Sequence, residues 1–212
     1  MNPLIPKPTT GRGALVELVV IVALAIGLAL LIQAFLVKPY QIPSVSMEPT
    51  LDVGQRVLVD RVSYRFSDPQ IGDIVVFHPP QGADAGGKCG VTVHGSQPVD
   101  AGEPCPKPVD QEADTNFIKR IVARPGDRLS VKDGHPVVNG VMAKEDFINP
   151  CPSGERSCNL RKTITIPPDH YFMMGDNRGS SDDSRFWGPV PRDWIIGEAF
   201  VTYWPPDRIG FL

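Results

Sequence analysis

Residues 128–140 read Arg-Leu-Ser-Val-Lys-Asp-Gly-His-Pro-Val-Val-Asn-Gly and decide the kind of fold that the chain adopts. Two strand-like segments are each followed by a dipeptide, Asp-Gly at 133–134 and Asn-Gly at 139–140. These dipeptides suit the positive backbone φ of the tight turns that join antiparallel strands. We therefore expect residues 128–170 to form a small β lobe built from consecutive hairpins.

Short strands are also expected on both sides of this lobe. The 23 prolines and 20 glycines break the chain into short segments, which disfavours long helices. Alternating or short apolar runs are typical of strands in residues 55–64, 72–77, 116–122 and 199–204. The sequence thus predicts a mostly β protein, with an antiparallel β-sheet core in residues 38–127 and 171–212 into which the lobe is inserted.

Four cysteines fall in loop-like regions rich in proline and glycine. Residues 78–115 form a long excursion from the core, and such loops are uncommon in compact domains unless something fastens them. No Cys-x-x-Cys pair occurs, so the spacing does not resemble a structural zinc site and we expect no metal. Local disulfides Cys89–Cys105 and Cys151–Cys158 are the natural interpretation if this region lies outside the cytoplasm, and four free buried thiols are the alternative.

A long apolar run precedes the β region. From Leu18 to Val37 only Gln33 is polar, and a helix of this length covers about 30 Å, the thickness of a bilayer core. A cleavable signal peptide has a shorter apolar region, about 7–15 residues, followed by a small-x-small cleavage site. We therefore expect an uncleaved transmembrane helix in residues 14–37, behind a short tail in residues 1–13.

Charge predicts the orientation of this helix and the class of partner. Lys7 and Arg12 precede the helix and Lys38 follows it, which places the tail in the cytoplasm and the β region outside, at the cell membrane. The net charge is −3, and no cluster of five or more basic residues occurs. Nucleic acid is therefore not expected as a partner, whereas the lipid bilayer is.

Ser46 is the candidate nucleophile, in Pro-Ser-Val-Ser-Met-Glu-Pro-Thr-Leu at residues 43–51. A serine hydroxyl needs a neighbouring base, and Lys119 lies among apolar residues of a strand-like segment. Burial would lower the pKa of this lysine from about 10.4 and make it a usable base. Adjacent strand residues point to opposite faces, so Arg120 can be exposed while Lys119 faces inward. The alternatives are a turn hydroxyl for Ser46 and a solvated strand lysine for Lys119.

Four segments of this sequence resemble, in order, the signature boxes of bacterial type I signal peptidases. They are Pro-Ser-Val-Ser-Met-Glu-Pro-Thr-Leu (43–51), Gly-Asp-Ile-Val-Val-Phe (72–77), Lys-Arg-Ile-Val-Ala-Arg-Pro-Gly-Asp (119–127) and Gly-Asp-Asn-Arg-Gly-Ser-Ser-Asp-Asp-Ser-Arg-Phe-Trp-Gly (175–188). The resemblance implies a membrane-anchored serine endopeptidase that needs no cofactor. It would remove signal peptides from exported preproteins after a small-x-small site. The excursion 78–115 departs from the family as we understand it.

The resemblance also implies roles for individual residues. Ser46 would be the nucleophile and Lys119 the base, with the Ser44 hydroxyl and the Ser46 backbone N–H forming the oxyanion hole. The Ser181 hydroxyl would hydrogen-bond to the lysine amine and orient it. Two apolar pockets for the substrate would be formed by Pro39, Tyr40, Gln41, Ile42, Met47, Leu51, Val57, Val76, Phe117 and Ile118.

Charged residues of the last box are expected to support the site without taking part in the chemistry. Arginine–carboxylate pairs fix geometry well, so we expect an ion-paired structural loop. Its members would be Asp176, Arg178, Asp183 and Arg185.

Three alternatives are disfavoured by the sequence. A Ser-His-Asp triad is disfavoured because no histidine falls inside a box and no Gly-x-Ser-x-Gly occurs; the histidines are His78, His94, His135 and His170. Self-cleaving proteases with a Ser/Lys dyad have a related fold but lack a membrane anchor. An anchored binding module without catalysis would leave residues 175–188 unexplained.

Overall fold

The computed structural model describes residues 11–83, 89, 105, 107–152, 154–155 and 158–212. These residues contain two α-helices and twelve strands, joined by turns. The elements are α1 Gly11–Phe35, β1 Val37–Gln41, β2 Arg56–Asp60, β3 Ile74–Phe77, β4 Phe117–Ala123, β5 Arg128–Lys132, β6 His135–Val138, β7 Val141–Met142, β8 Leu160–Thr165, β9 His170–Met174, α2 Ser184–Trp187, β10 Val190–Pro191, β11 Ile195–Trp204 and β12 Gly210–Phe211.

Two antiparallel sheets make up the β region, which confirms the predicted fold class. The larger sheet has the order β1-β2-β11-β3-β4-β9-β10, with β12 paired to β11. The smaller sheet has the order β7-β6-β5-β8 and contains the hairpins expected at the start of the lobe. Strand β11 lies between β2 and β3, so these two strands do not pair although they are successive along the chain.

The hairpin turns of the smaller sheet lie at the two dipeptides. Asp133 and Gly134 have φ of 50° and 82°, and Asn139 and Gly140 have φ of 53° and 84°. Positive φ at both central residues matches the right-handed twist of the flanking strands. The turns therefore fix the register of the lobe through local backbone preference.

Strand β4 contributes to three hydrophobic clusters and is buried along most of its length. Ile118 packs in the first cluster, Ile121 in the second, and Val122 with Ala123 in the third. Each Å² of apolar surface that is buried in these clusters stabilises the fold by about 25 cal/mol. The strand that carries Lys119 is therefore held on both faces.

Helix α1 is apolar and projects from the β region. Its segment Gly13–Leu30 has a mean hydropathy of 2.7 and is not buried by the rest of the structure. The helix ends at Phe35 because Val37 already pairs with Asp60 on β2. The Arg61 N–H donates to the Leu36 carbonyl at 3.0 Å, which connects the end of the helix to the sheet.

The structure joins Cys89 to Cys105 and Cys151 to Cys158, with Cα–Cα distances of 5.5 and 6.1 Å. The base of the excursion is closed by the Ala113 N–H, which donates to the Pro79 carbonyl at 2.8 Å. Most of the excursion between these points, including His94, lies outside the described residues.

Candidate active site

Ser46 lies in a short 3-10 turn, Val45–Met47, whose shape is fixed from both sides. On the inner side, Met47 is fully buried in the first hydrophobic cluster. On the outer side, Asn177 donates its N–H to the Ser46 carbonyl and its Nδ2 to the Val45 carbonyl, both at 3.1 Å. The last signature box thus holds the first one in place.

Lys119 on β4 approaches Ser46 directly. Its Nζ lies 2.6 Å from Ser46 Oγ and donates to the Ile118 carbonyl at 3.0 Å. The side chain is 3 % exposed, and the Phe117 ring centroid is 5.5 Å from Nζ. A buried lysine amine is thus in hydrogen-bond contact with a serine hydroxyl.

Burial sets the basicity of this amine. Desolvation lowers the pKa of Lys119 to about 8, against the opposing effect of the Asp183 and Asp182 carboxylates. Removing an ammonium from water disfavours its charged form, while nearby anions favour it. A neutral amine that can accept a proton is therefore well populated in mildly alkaline solution.

The two other serines of the predicted site differ in their surroundings. Ser44 is exposed, and its Oγ lies 3.3 Å from Ser46 Oγ. The hydrogen bond expected between Ser181 and Lys119 is not formed. Ser181 Oγ is buried and has no hydrogen-bond partner in the described part of the chain. Lys119 Nζ contacts the Ile118 carbonyl and Ser46 instead. The orienting role of Ser181 stays a prediction.

Gly175 explains how the last box approaches Ser46 so closely. A Cβ at this position would overlap Ser181 Oγ and the Ser46 carbonyl oxygen. The requirement is for space, since any side chain would have to displace backbone. Glycine is the residue that permits this contact.

Within the last box, Asp183 and Arg185 pair with each other. Arg185 Nε and Nη2 each donate to Asp183 at 2.8 Å, and the Gly175 N–H donates to the same carboxylate at 3.0 Å. Burial by itself would raise the pKa of Asp183, but the guanidinium and the N–H donors outweigh it and lower that pKa. Asp183 is therefore a buried anion that fixes the backbone at Gly175.

Asp176 pairs outside the box, with Arg120 of β4. Arg120 Nε and Nη2 donate to its two oxygens at 2.9 and 2.7 Å. Thr50 Oγ1 donates to the same carboxylate at 2.5 Å. The Arg120 side chain points away from Ser46 but is only 15 % exposed, because the neighbouring loop supplies a carboxylate.

Arg178 pairs with Glu145, a residue that the sequence analysis did not identify. Its Nη1 and Nη2 donate to Glu145 at 2.6 and 2.7 Å, and its Nε donates to the Gly175 carbonyl at 3.0 Å. Glu145 follows β7 in the lobe, and no motif or spacing marks it. The ion pair links the lobe to the last box, so the four expected ionic residues use two partners from outside the box.

A cleft of about 330 Å³ surrounds Ser46 and Lys119. A second cavity of about 330 Å³ adjoins it, since Pro43 and residues 116–118 line both. The cleft is lined in addition by Ser44, Ser180 and Asp182. The second cavity, called the groove below, is lined in addition by Tyr40, Gln41, Ile42, Val76 and Thr115.

Six of the ten expected pocket residues line the groove, and four do not. Tyr40, Gln41, Ile42, Val76, Phe117 and Ile118 line it. Met47, Leu51 and Val57 are fully buried in the first hydrophobic cluster, and Pro39 lies on exposed β1. The three buried side chains pack the core next to Ile42 and Val76 of the groove, and their part in the pockets stays a prediction. The sequence reasoning missed Pro43, Thr115, Asn116, Ser180 and Asp182, whose only signal is that they adjoin or lie within the boxes.

Three of the four histidines are described, and each contacts other groups. Nδ1 of His78 lies 3.2 Å from the Ala113 carbonyl, and Nδ1 of His170 lies 2.7 Å from the Pro168 carbonyl. Nδ1 of His135 is 3.6 Å from Glu145. None of these three hydrogen-bonds to Ser46.

Comparison with known proteins places the chain in a family. A family model described as signal peptidase, peptidase S26, matches residues 15–204. The probable signal peptidase I-2 of Synechocystis sp. is 37% identical over 89% of this chain and 72% of its own. The signal peptidase I of Leptolyngbya laminosa is 35% identical over 93% of this chain and 84% of its own. That of Mycobacterium tuberculosis is 33% identical over 97% and 77%. The resemblance read from the four boxes is thus confirmed, and the chain belongs to the peptidase S26 family of signal peptidases.

Proposed function

We propose that this protein removes N-terminal signal peptides from exported preproteins, as a membrane-anchored serine endopeptidase with a Ser46/Lys119 dyad. The observation that carries the proposal is the 2.6 Å contact between Lys119 Nζ and Ser46 Oγ in a buried environment. Family membership supports the substrate class, and the geometry supports the chemistry.

The reaction begins with neutral Lys119. Its amine accepts the proton of Ser46 Oγ while the oxygen attacks the carbonyl carbon of the scissile bond. The resulting oxyanion receives hydrogen bonds from the Ser46 N–H and the Ser44 hydroxyl, and losing one such donor typically costs a factor of about 10²–10³ in turnover. The Lys119 ammonium then protonates the leaving amine, which frees the mature protein.

The second half of the reaction regenerates the serine. The signal peptide remains bound to Ser46 as an ester, and Lys119 is neutral again. It now accepts a proton from water, whose oxygen attacks the ester carbonyl. Collapse of this intermediate breaks the bond to Ser46, and the lysine ammonium returns its proton to the serine oxygen.

The groove supports recognition of small side chains before the cut. The apolar side chains of Ile42, Val76 and Ile118 line it, so a methyl group can pack against them, whereas forcing in a larger group costs about 1–3 kcal/mol of strain. The substrate would bind as an extended strand, with main-chain hydrogen bonds that do not read sequence. An Ala-x-Ala ending is therefore favoured.

The position of Ser46 supports a substrate that is presented at a membrane. Helix α1 ends at Phe35, and eight residues from Lys38 to Ser46 reach at most about 26–29 Å when fully extended. A signal peptide offers its cleavage site just beyond its own apolar segment. In this proposal α1 spans the bilayer with its N-terminus in the cytoplasm, and the β region lies on the far side.

Incubation of the purified full chain with a preprotein in detergent micelles tests the function. We expect one cut after a small-x-small site, identified by sequencing the new N-terminus, and no cut with Ser46→Ala. Binding without cleavage by the parent protein would instead identify an anchored binding module and overturn the proposal.

A further inference from the structure

Three carboxylates act on Lys119, and they differ in how they are neutralised. Asp176, Asp182 and Asp183 each contribute to its electrostatic environment. Asp183 is paired with Arg185 and Asp176 with Arg120, each by two hydrogen bonds. Asp182 is exposed and makes no hydrogen bond or ion pair within the described ranges. Its charge is therefore available to a ligand.

Asp182 also determines the net charge of the cleft. Among the residues that line the cleft, Lys119 and Asp182 are the charged ones. The reaction requires Lys119 in its neutral form, and Asp182 then leaves the cleft with one uncompensated negative charge. Such a charge attracts a cation and repels an anion on any bound peptide.

The shared lining of the two cavities indicates which part of a substrate Asp182 faces. The groove continues into the cleft along Pro43 and residues 116–118, and the cleft adds Ser46, Lys119, Ser180 and Asp182. A peptide whose residues before the cut occupy the groove reaches Ser46 and then passes Ser180 and Asp182. On this path Asp182 would face the first residues of the mature protein.

We propose that Asp182 is a specificity-determining residue that favours preproteins with lysine or arginine in the first few positions after the cut and disfavours glutamate or aspartate there. This inference rests on the proposed function, because it uses the direction in which the substrate lies. Exposed ion pairs are weak, so the expected preference for lysine over glutamine at one position is about 1.4-fold to fivefold in kcat/KM.

The test uses synthetic substrates that share one Ala-x-Ala ending and carry Lys, Gln or Glu at a single position after the cut. We expect the full-length parent enzyme to cleave them in the order Lys, Gln, Glu. Asp182→Asn should abolish the order and Asp182→Lys should reverse it. Asp193→Asn is the matched control, because Asp193 is an exposed carboxylate that does not line the cleft or the groove, and it should keep the parent's order.

Two further measurements separate a charge effect from a structural one. The negative charge of Asp182 raises the pKa of Lys119. In Asp182→Asn the increase of activity with pH should therefore occur at lower pH than in the parent enzyme. In the parent enzyme the preference for lysine should shrink as salt is added, because exposed charges are screened. This second measurement needs no variant and stands even where a substitution impairs folding.

The outcomes are distinguishable. An unchanged Lys-to-Glu ratio in Asp182→Asn, with normal cleavage, overturns the role of Asp182 and leaves the proposed function intact. Absence of cleavage of every substrate by the parent enzyme overturns the proposed function itself. A lysine preference that does not depend on salt in the parent enzyme also contradicts the inference.

Discussion

Arg120 donates two hydrogen bonds to Asp176, and this ion pair connects the two parts of the chain that carry Ser46 and Lys119. Arg120 follows Lys119 on β4, and Asp176 also accepts a hydrogen bond from Thr50, four residues after Ser46. One buried carboxylate thus fixes the distance between the strand that carries Lys119 and the loop that carries Ser46.

Replacing Asp176 by Ala should therefore lower both stability and turnover. It leaves the largely buried Arg120 guanidinium unpaired, which costs about 3–5 kcal/mol in the free energy of unfolding. Thr50→Val is the control, since it removes one hydrogen bond and keeps the ion pair, at a cost of about 1 kcal/mol. Denaturant unfolding in detergent and kcat on a preprotein measure the two effects. Equal losses for both variants would contradict the role assigned to the ion pair.

Ser46→Ala and Lys119→Ala should each abolish processing while leaving the fold intact. The first removes the nucleophile and the second removes the base, and a general base alone contributes typically about 10²–10⁴-fold. Lys132→Ala is the control, because it removes an exposed lysine from β5. This variant should cleave the preprotein at the parent rate. Turnover by purified Lys119→Ala above the uncatalysed background would refute the dyad.

Activity should rise with pH through an apparent pKa of about 8. Burial lowers the pKa of Lys119 to that value, and below it the amine is protonated and cannot accept the Ser46 proton. A profile of kcat/KM against pH measures this in the free enzyme. Control by a group near 6.5 would point to a histidine instead.

The same shift predicts how stability depends on pH. The folded pKa of Lys119 lies below the value of about 10.4 for a free lysine, so the unfolded chain binds more protons between about pH 8 and pH 10.4. Titration of Lys119 therefore increases the free energy of unfolding as pH rises across this window, so the folded protein becomes more stable. In Lys119→Met that contribution should disappear, as denaturant unfolding at several pH values would show.

Truncation of Ile42 or Ile118 to Ala should widen the groove and admit larger residues before the cut. Ile74→Ala is the matched control, because Ile74 packs in the same hydrophobic cluster but does not line the groove or the cleft. All three variants should lose about 2–5 kcal/mol of stability. Cleavage of a preprotein panel varied one and three residues before the cut should change for Ile42→Ala and Ile118→Ala alone. If these two keep the parent's preference, they do not shape the pockets.

Peptide mapping without reduction should join Cys89 to Cys105 and Cys151 to Cys158 in protein recovered from its native compartment. The second bridge closes a loop with a sequence separation of 7, so replacing both of its cysteines by Ser should cost about 2–3 kcal/mol. Four free thiols in the native protein would contradict both pairings and the orientation proposed for α1.

The sequence predicted the features that depend on local preference. Dipeptides with positive φ mark the hairpins of the lobe, and apolar runs mark β3 and β4. The resemblance of the boxes also led to the pair Ser46 and Lys119, which the fold brings together across a sequence separation of 73.

Other features depend on packing between distant segments and left no local signal. Arg120 alternates with Lys119 as a strand residue should, but the loop after β9 covers it with Asp176. Glu145 meets Arg178 because the lobe packs against the last box. Met47 and Leu51 lie in a box and are buried in the core, and their position along the chain does not predict this packing.

The position of β11 determines when, during synthesis, the two halves of the larger sheet can be connected. In the larger sheet β11 lies between β2 and β3. Strands β1 and β2, which flank Ser46 along the chain, are therefore connected through β11 to β3 and to β4, the strand that carries Lys119. A ribosome delivers Ser46 and Lys119 well before residues 195–204. A nascent chain therefore contains Ser46 and Lys119 before it contains the strand that joins the two halves of the sheet, and the proposed proteolytic activity requires residues 195–204 to be made first.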